Sequence, residues 1–204
     1  MDEFYDMNVR CDNKLKDIIS MAKRLGFKGI CISGDKVSKE VLEKLGEEGI
    51  DVIRGVEVSV RESDELRYVK RLRREFDVVI VNAESVSAIR KVIRIGSIIL
   101  HISTPEGIID QIIAKTAKEN NVYVEFRFFD ILNAYGLHRA EVFRKYKFNA
   151  KVVKKYSTPF VITSGAMDIW DMRAPHELIS FGKALGFEIN EAKRGLLGML
   201  SFKR

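Results

Sequence analysis

Three histidines, a few strand carboxylates and one polar loop are the residues of this 204-residue chain whose types could do chemistry. The loop lies in Pro159–Gly182, PFVITSGAMDIWDMRAPHELISFG. An apolar run there ends at Ser164-Gly165-Ala166, and Asp168, Trp170, Asp171 and Arg173 follow before Pro175. Small residues let a backbone turn sharply at a strand's end, and strand-to-helix loops are where α/β proteins build sites. Ser164 could be a nucleophile, but Thr163-Ser164-Gly165 lacks the G-x-S-x-G elbow. His101, His138 and His176 could ligate a metal, yet no two are spaced as H-x-H or H-E-x-x-H, which favours structural roles. Asp6, Glu57, Glu84 and Glu125 fall in or at the ends of strand-like runs, so some could share a mouth. Arg10, Arg54 and Arg127 are available to pair with them, and ion-paired structural roles are favoured over acid–base catalysis.

Basic residues offer a second chemistry. In Arg67–Arg74, residues 67, 70, 71 and 74 share one helix face, while Leu66, Val69, Leu72 and Phe76 share the other. The next helical segment repeats the design, with Arg90, Lys91 and Arg94 opposite Val86, Ile89 and Ile93. Lys115, Lys118, Lys151, Lys154, Lys155, Lys193, Arg194, Lys203 and Arg204 add positive charge. A solvated helix face is the plain account of any one of these. Like charges at i,i+4 repel, however, and two successive helices that accept this without interleaved Glu suggest a phosphate-binding surface.

These residues need elements to position them. Strand-like runs are Phe4–Cys11, Gly29–Ser33, Asp51–Val60, Asp77–Asn82, Ser97–Ile102, Val122–Phe128 and Phe160–Thr163. Helical spacing of apolar residues marks Lys14–Leu25, Ser38–Glu48, Glu65–Phe76, Val86–Ile95, Glu106–Glu119, Leu137–Tyr156, Pro175–Leu185 and Glu191–Leu200. Strands alternating with helices through short connections predict a parallel sheet, and the pitch of about 25 residues per unit favours a small or incomplete TIM-like (β/α) barrel over an open doubly wound sheet. No linker interrupts the chain, so residues 1–204 are expected as one domain.

The totals are compatible with this. Hydrophobic residues make up 46%, enough for one sizeable core. Lys and Arg number 35 against 29 Asp and Glu, a net charge of +6 that favours a polyanionic partner. Cys11 and Cys31 sit in apolar runs and are expected as buried thiols. The start MDEFYD carries no signal-peptide core and no apolar run approaches ~18 residues, so a soluble, cytoplasmic protein is expected, with no membrane partner. Neither G-x-G-x-x-G nor a Walker A sequence is present, which excludes nucleotide binding by those motifs.

The stretch VITSGAMDIWDMRAPHELISFGKALG resembles the C-terminal signature of the archaeal ribonuclease P protein component 3 family, whose eukaryotic counterpart is a subunit of ribonuclease P and the related MRP ribonuclease. The resemblance extends through YDMNVR and through VEFRFFDIL with the basic helix after it, and so covers essentially the whole chain. Its sharpest parts are Ser164-Gly165-Ala166 and Met172-Arg173-Ala174-Pro175. That family is similar in turn to the PHP metal-dependent phosphoesterases, which have a distorted TIM-like barrel. The PHP element D-x-H-x-H reads Asp6-Met7-Asn8-Val9-Arg10 here, G-x-E survives as Gly55-Val56-Glu57, and S-D-A-H reads Ser164-Gly165-Ala166-Met167. Glu57 and His101 alone cannot assemble a multinuclear site, and Arg10 is expected to put a cation where the metals would be.

The resemblance implies a ribonuclease P subunit that binds and stabilises the catalytic RNA, while the RNA itself hydrolyses precursor tRNA with Mg²⁺. It implies ribonuclease P RNA, component 2 and the other ribonuclease P proteins as partners, precursor tRNA met indirectly, no cofactor on this chain and no catalytic residue. Residues expected to meet RNA phosphates are Arg90, Lys91, Arg94, Lys115, Lys118, Arg127, Arg139, Lys154, Lys155, Arg173 and Lys193. Trp170 is expected to pack. Two alternatives stand beside this reading: a PHP-type metal phosphoesterase using Glu57, His101, Asp168 and His176, and an RNA-binding protein outside ribonuclease P.

Overall fold

The computed structural model describes residues 3–10, 14–34, 38, 49–61, 66–104 and 107–197. Cys11, Lys203, Arg204 and all but the first residue of the helix expected at Ser38–Glu48 lie outside them.

Local chemistry sets most boundaries. Strands β1 (Tyr5–Val9), β2 (Gly29–Ile32), β3 (Asp51–Val60) and β4 (Val78–Ala83) are separated by α1 (Leu15–Leu25) and, after β3, by α2 (Leu66–Glu75). Helix α1 turns Ile18, Ile19 and Ala22 inward and stops at Gly26, whose φ of 87° lets its N–H reach the carbonyls of Ala22 and Lys23. The second half runs α3 (Val86–Val92), β5 (Ile99–Ile102), α4 (Gln111–Glu119), β6 (Tyr123–Arg127), α5 (Phe128–Leu132), α6 (Gly136–Tyr156), β7 (Phe160–Thr163), α7 (Pro175–Leu185) and α8 (Ile189–Arg194). Ser85 caps α3 by accepting from Ala88 N–H at 3.0 Å, and Asp110 caps α4 by accepting from Ile113 N–H at 2.7 Å. Pro175 stands in the first turn of α7, where its missing N–H costs nothing.

The strands lie in the order β1 to β7, every neighbouring pair parallel. The edges approach each other: Val9 forms a parallel bridge with Ala166, and Arg10 N–H donates to the Ala166 carbonyl at 2.7 Å. The result is a nearly closed, distorted TIM-like barrel of seven strands. Among the described residues no helix is long and apolar enough to cross a membrane.

Strand alternation divides the apolar residues into two bodies. Outward residues such as Val79, Val81, Leu100, Val124, Phe126 and Ile162 meet the helices in a large sleeve. Inward residues nearer the strand starts, Tyr5, Met7, Cys31, Val78, Ile80, Ile99 and Val161, form a smaller plug inside the barrel. Further along the strands the inward positions become polar: Asn8, Glu57, His101, Glu125, Arg127 and Thr163. The β1–β2 register shifts between Asp6 and Val9, which lets Met7 join the plug while the adjacent Asn8 also reaches inward. The functional question is what this polar layer does.

Several boundaries differ from expectation: the helix expected from Glu106 begins at Gln111, the one expected at Glu191–Leu200 occupies Ile189–Arg194, and the short helix α5 was not expected. The strand expected to reach Phe128 ends at Arg127, because the chain turns there into α5 and Phe129 N–H donates to the Ser164 carbonyl at 2.9 Å. Helix α3 ends at Val92 rather than Ile95, and a turn through Gly96 (φ 76°) and Ser97 (φ 49°) leads into β5.

Candidate functional site

The polar layer is built around one buried carboxylate. Glu125 accepts from Asn8 Nδ2 at 2.8 Å, Thr163 Oγ1 at 2.7 Å and Arg127 Nη2 at 2.8 Å. His101 Nδ1 lies 3.1 Å from its second oxygen. The same Arg127 nitrogen donates to Glu57 at 2.9 Å, and the same Asn8 amide donates there at 3.2 Å. Ser33 Oγ fixes that amide by donating to Asn8 Oδ1 at 2.7 Å.

Charge compensation keeps the Glu125–Arg127 pair ionised. Burial would raise the Glu125 carboxyl, but the guanidinium of Arg127, with His101, outweighs it and holds the group well below the usual carboxylate range. Burial likewise opposes the charge on Arg127, and Glu125 and Glu57 more than offset it, holding its pKa above the usual arginine value. Arg10 is pulled the other way, by burial and by the like charge of Arg127. Among the described residues Asp6 has no arginine partner; burial raises it to about 6 against the amide N–H groups of Ser164 and Asn8 that bond its Oδ1.

This donor set does not fit a metal pair. One guanidinium nitrogen bridges the two carboxylates that metals would need, and the Asn8 amide bridges the same pair. Among the described residues no group of three or more His, Cys, Asp or Glu side chains is arranged to hold a metal ion. Arg127 corrects two expectations. It was expected on RNA phosphates, yet its side chain is only 3% exposed and held in the barrel. The cation between the carboxylates was expected to be Arg10, which instead sits at the edge: 4.0 Å from Glu57, donating twice to the Gly165 carbonyl and lying 4.6 Å over the Phe129 ring. The missed signal is Glu125-Phe126-Arg127, two charges at strand spacing that must face the same side.

The β7–α7 loop is tied together by its own hydrogen bonds. Asp171 accepts from the N–H groups of Met167 and Asp168, and Asp168 accepts from Trp170 N–H. Arg173 Nη1 donates to the carbonyls of Trp170 and Met172 at 2.9 and 2.7 Å, and its guanidinium lies 5.3 Å over Phe128. Arg173, expected on phosphates, is thus half-buried and holds the loop. Trp170, expected to pack, is 77% exposed: the loop's hydrogen bonds fix its backbone and leave the indole outside.

The remaining cations separate by what they touch. Arg90, Lys91, Arg94, Lys115, Lys118 and Lys155 stand exposed on α3, the turn after it, α4 and α6. Arg90 reaches Asp110, the cap of α4, at 3.4 Å. Lys115 and Lys155 flank the Tyr156 ring at 5.7 and 5.4 Å, and the Tyr156 hydroxyl donates to Gln111 at 3.0 Å. These contacts join α3, α4 and the end of α6 into one basic face. Lys154 does not belong to it; it pairs with Glu191 at 3.0 Å and donates to the Gly186 carbonyl at 2.7 Å, tying α6 to α7 and α8. Arg139 is exposed but bonded to the Ala134 carbonyl at 2.5 Å, and Lys193 is half-buried on α8. Arg67, Lys70, Arg71 and Arg74 line the outer face of α2, as their spacing predicts, with Val69 and Leu72 buried beneath.

Known proteins share the sequence pattern and the fold. A family model described as RNase P subunit p30 matches residues 3–200. Ribonuclease P protein component 3 of Methanococcoides burtonii is 31% identical over 197 residues, covering 93% of this chain and 82% of that protein. The Methanosarcina mazei protein of the same name is 30% identical over 202 residues, covering 93% and 84%. A chain in a cryo-EM structure of archaeal ribonuclease P with mature tRNA superposes with a TM-score of 0.80 at 27% identity, covering 93% of this chain and 86% of that one. An ochratoxinase from A. niger, with a TM-score of 0.67 at 10% identity over 96% of this chain and 70% of its own, shares the fold alone. The chain belongs to the RNase P subunit p30 family.

Proposed function

We propose that this chain is a protein subunit of ribonuclease P, the ribonucleoprotein that frees mature tRNA 5′ ends by endonucleolytic removal of the precursor leader. The observation that carries the reading is the match, over most of both chains, to a component of archaeal ribonuclease P with mature tRNA. The chain acts as part of the holoenzyme: the RNA performs hydrolysis with Mg²⁺, and this protein holds no metal or cofactor of its own. The guanidinium of Arg127 lodged between Glu57 and Glu125 supports that division of labour.

The role of the protein is electrostatic and structural. Arg90, Lys91, Arg94, Lys115, Lys118 and Lys155 present fixed cations to RNA phosphates, which lowers repulsion between packed RNA segments and hence the Mg²⁺ needed to fold them. Such contacts follow RNA shape more than base sequence. Its other partners are component 2 and the remaining ribonuclease P proteins, with precursor tRNA met indirectly, and a cytoplasmic location is part of this reading. Reconstitution tests it: adding this chain with its protein partner to the catalytic RNA at limiting Mg²⁺ is expected to restore cleavage of precursor tRNA. Cleavage that does not depend on this chain would overturn the proposal.

A further inference from the structure

The basic face accounts for phosphates but leaves a cleft at the barrel rim without a role. The cleft, of about 400 Å³, opens where β5 ends, between the segment after it and the α5–α6 corner. That volume falls within the ~300–1,000 Å³ of small-molecule sites. Ile102, Phe129 and Val142 give it apolar walls. Asp130, its side chain 26% exposed, lines it, accepting the Tyr146 hydroxyl and standing 3.4 Å from Nε2 of the buried His101. His138, whose Nδ1 is 4.0 Å from Glu141, and Lys145 line it as well.

This lining rejects simple ions. The same lining holds the Asp130 carboxylate and the Lys145 amine, so a bare cation or a bare phosphate would each meet a like charge. A ligand that suits both charges has a flat apolar body, N–H donors at one end and a negative charge at the other. A nucleotide has that form.

We propose that the cleft takes one unpaired nucleobase of the RNA partner, its amino-bearing edge on Asp130, its ring between Phe129 and Val142, and its phosphate toward His138 and Lys145. The inference rests on the RNA-binding reading above and adds a base contact to a surface that otherwise reads only phosphates. Single-stranded RNA is commonly recognised in this way, by splaying a base onto apolar side chains and bonding its edge. Adenine, cytosine and guanine carry the amino group that a carboxylate accepts; uracil presents carbonyls on either side of its ring N–H and is disfavoured. A free mononucleotide offers the same chemistry, so the experiment separates the two sources.

In the reconstituted ribonucleoprotein, dimethyl sulfate and kethoxal probing is expected to show one unpaired A, C or G shielded on its pairing edge. Val142→Trp, which fills the cleft without changing a charge, is expected to lower that shielding at least tenfold while phosphate protection by α3 and α4 persists. Asp130→Asn gives the same readout should Val142→Trp lower the melting temperature. In parallel, AMP, CMP, GMP and UMP are titrated calorimetrically into the isolated protein and both variants. A shielded base that both folded variants expose assigns the cleft to RNA. Mononucleotide binding abolished in the variants, with no shielded base, assigns it to a free nucleotide and overturns the RNA assignment. Neither signal overturns the nucleotide site altogether. Absence of all RNA protection sinks the RNA-binding reading instead, and the mononucleotide titration then decides the cleft by itself.

Discussion

Asp6 is a carboxylate that the fold favours in its protonated form. Its pKa is raised from 3.8 to about 6, so the folded chain holds the proton more tightly than the unfolded chain. For an acid shifted upward, the stabilising effect is present below the unfolded value and is lost as pH rises toward 6. A shift of this size corresponds to roughly 3 kcal/mol. Asp6→Asn keeps an oxygen for the N–H groups of Asn8 and Ser164, so it is expected to flatten the pH 4–6 slope and to equal or exceed the parent at pH 7.5. Urea unfolding at pH 5 and 7.5 checks this; an equal loss at both pH values would refute it. Arg127 yields the opposite expectation. Arg127→Met would leave Glu125 buried without its guanidinium, an imbalance that typically costs ~3–5 kcal/mol. Lower denaturant midpoints with unchanged RNA affinity of the folded fraction are expected, whereas reduced affinity at full stability would return Arg127 to the RNA surface. The sequence disclosed the carboxylates and their ion-paired character but not which arginine served them. Arg10 and Arg127 look alike as letters, and only strand alternation together with the turn at Gly165 distinguishes them. Gly165 has φ 63°, and a Cβ there would lie 2.3 Å from Arg127 Cγ, so this glycine leaves room for the guanidinium's stem.

At the level of elements, the exposed cations act through the helices that align them. Arg90 and Arg94 point outward because Ala88, Ile89 and Val92 fix the inward face of α3. Reversing both to Glu is expected to weaken RNA binding at least tenfold near 0.1 M salt. The log–log salt slope should fall by about 0.7–0.9 for each phosphate no longer neutralised, measured by filter binding across a salt series. An unchanged slope would remove α3 from the interface. Lys154→Ala is expected to behave differently, lowering stability by about 1 kcal/mol by untying α6 from α7 and α8, with the salt slope preserved. Elements punctuated by strong local signals were legible in the sequence: β3 occupies Asp51–Val60 and α7 Pro175–Leu185, as apolar runs, Pro175 and Gly186 indicate. The turn at Ser97 and the break between β6 and α5 were not, because a non-glycine residue at positive φ and a hydrogen bond from Phe129 to Ser164 are imposed by tertiary packing. Trp170 departs from expectation for a similar reason. Aromatic character favours burial on average, but here Asp168, Asp171 and Arg173 fix a loop that turns the indole outward.

For the molecule as a whole, barrel closure is uneven. Strands β3 and β4 pair along six consecutive positions, Gly55↔Val78 to Val60↔Ala83, whereas β1 meets the far edge through the bridge from Val9 to Ala166. The N–H of Arg10 donates to the Ala166 carbonyl there, and the N–H of Ser164 donates to the side chain of Asp6. A seam with few ladder bonds opens locally at lower free energy than the sheet centre. In native-state hydrogen exchange the amides of Val79 and Val81 are therefore expected to track global unfolding with urea, while those of Arg10 and Ser164 exchange earlier and with little urea dependence. The buried carboxyl of Asp6 lies in this seam, so its ionisation above about pH 6 ties closure to pH. After correction for intrinsic exchange rates, the protection of Arg10 and Ser164 relative to Val79 is expected to fall from pH 5 to pH 7.5, and to change much less in Asp6→Asn. Equal protection across the barrel at both pH values would show that the single bridge closes it as firmly as the sheet centre, and that the proton on Asp6 is not what holds the seam.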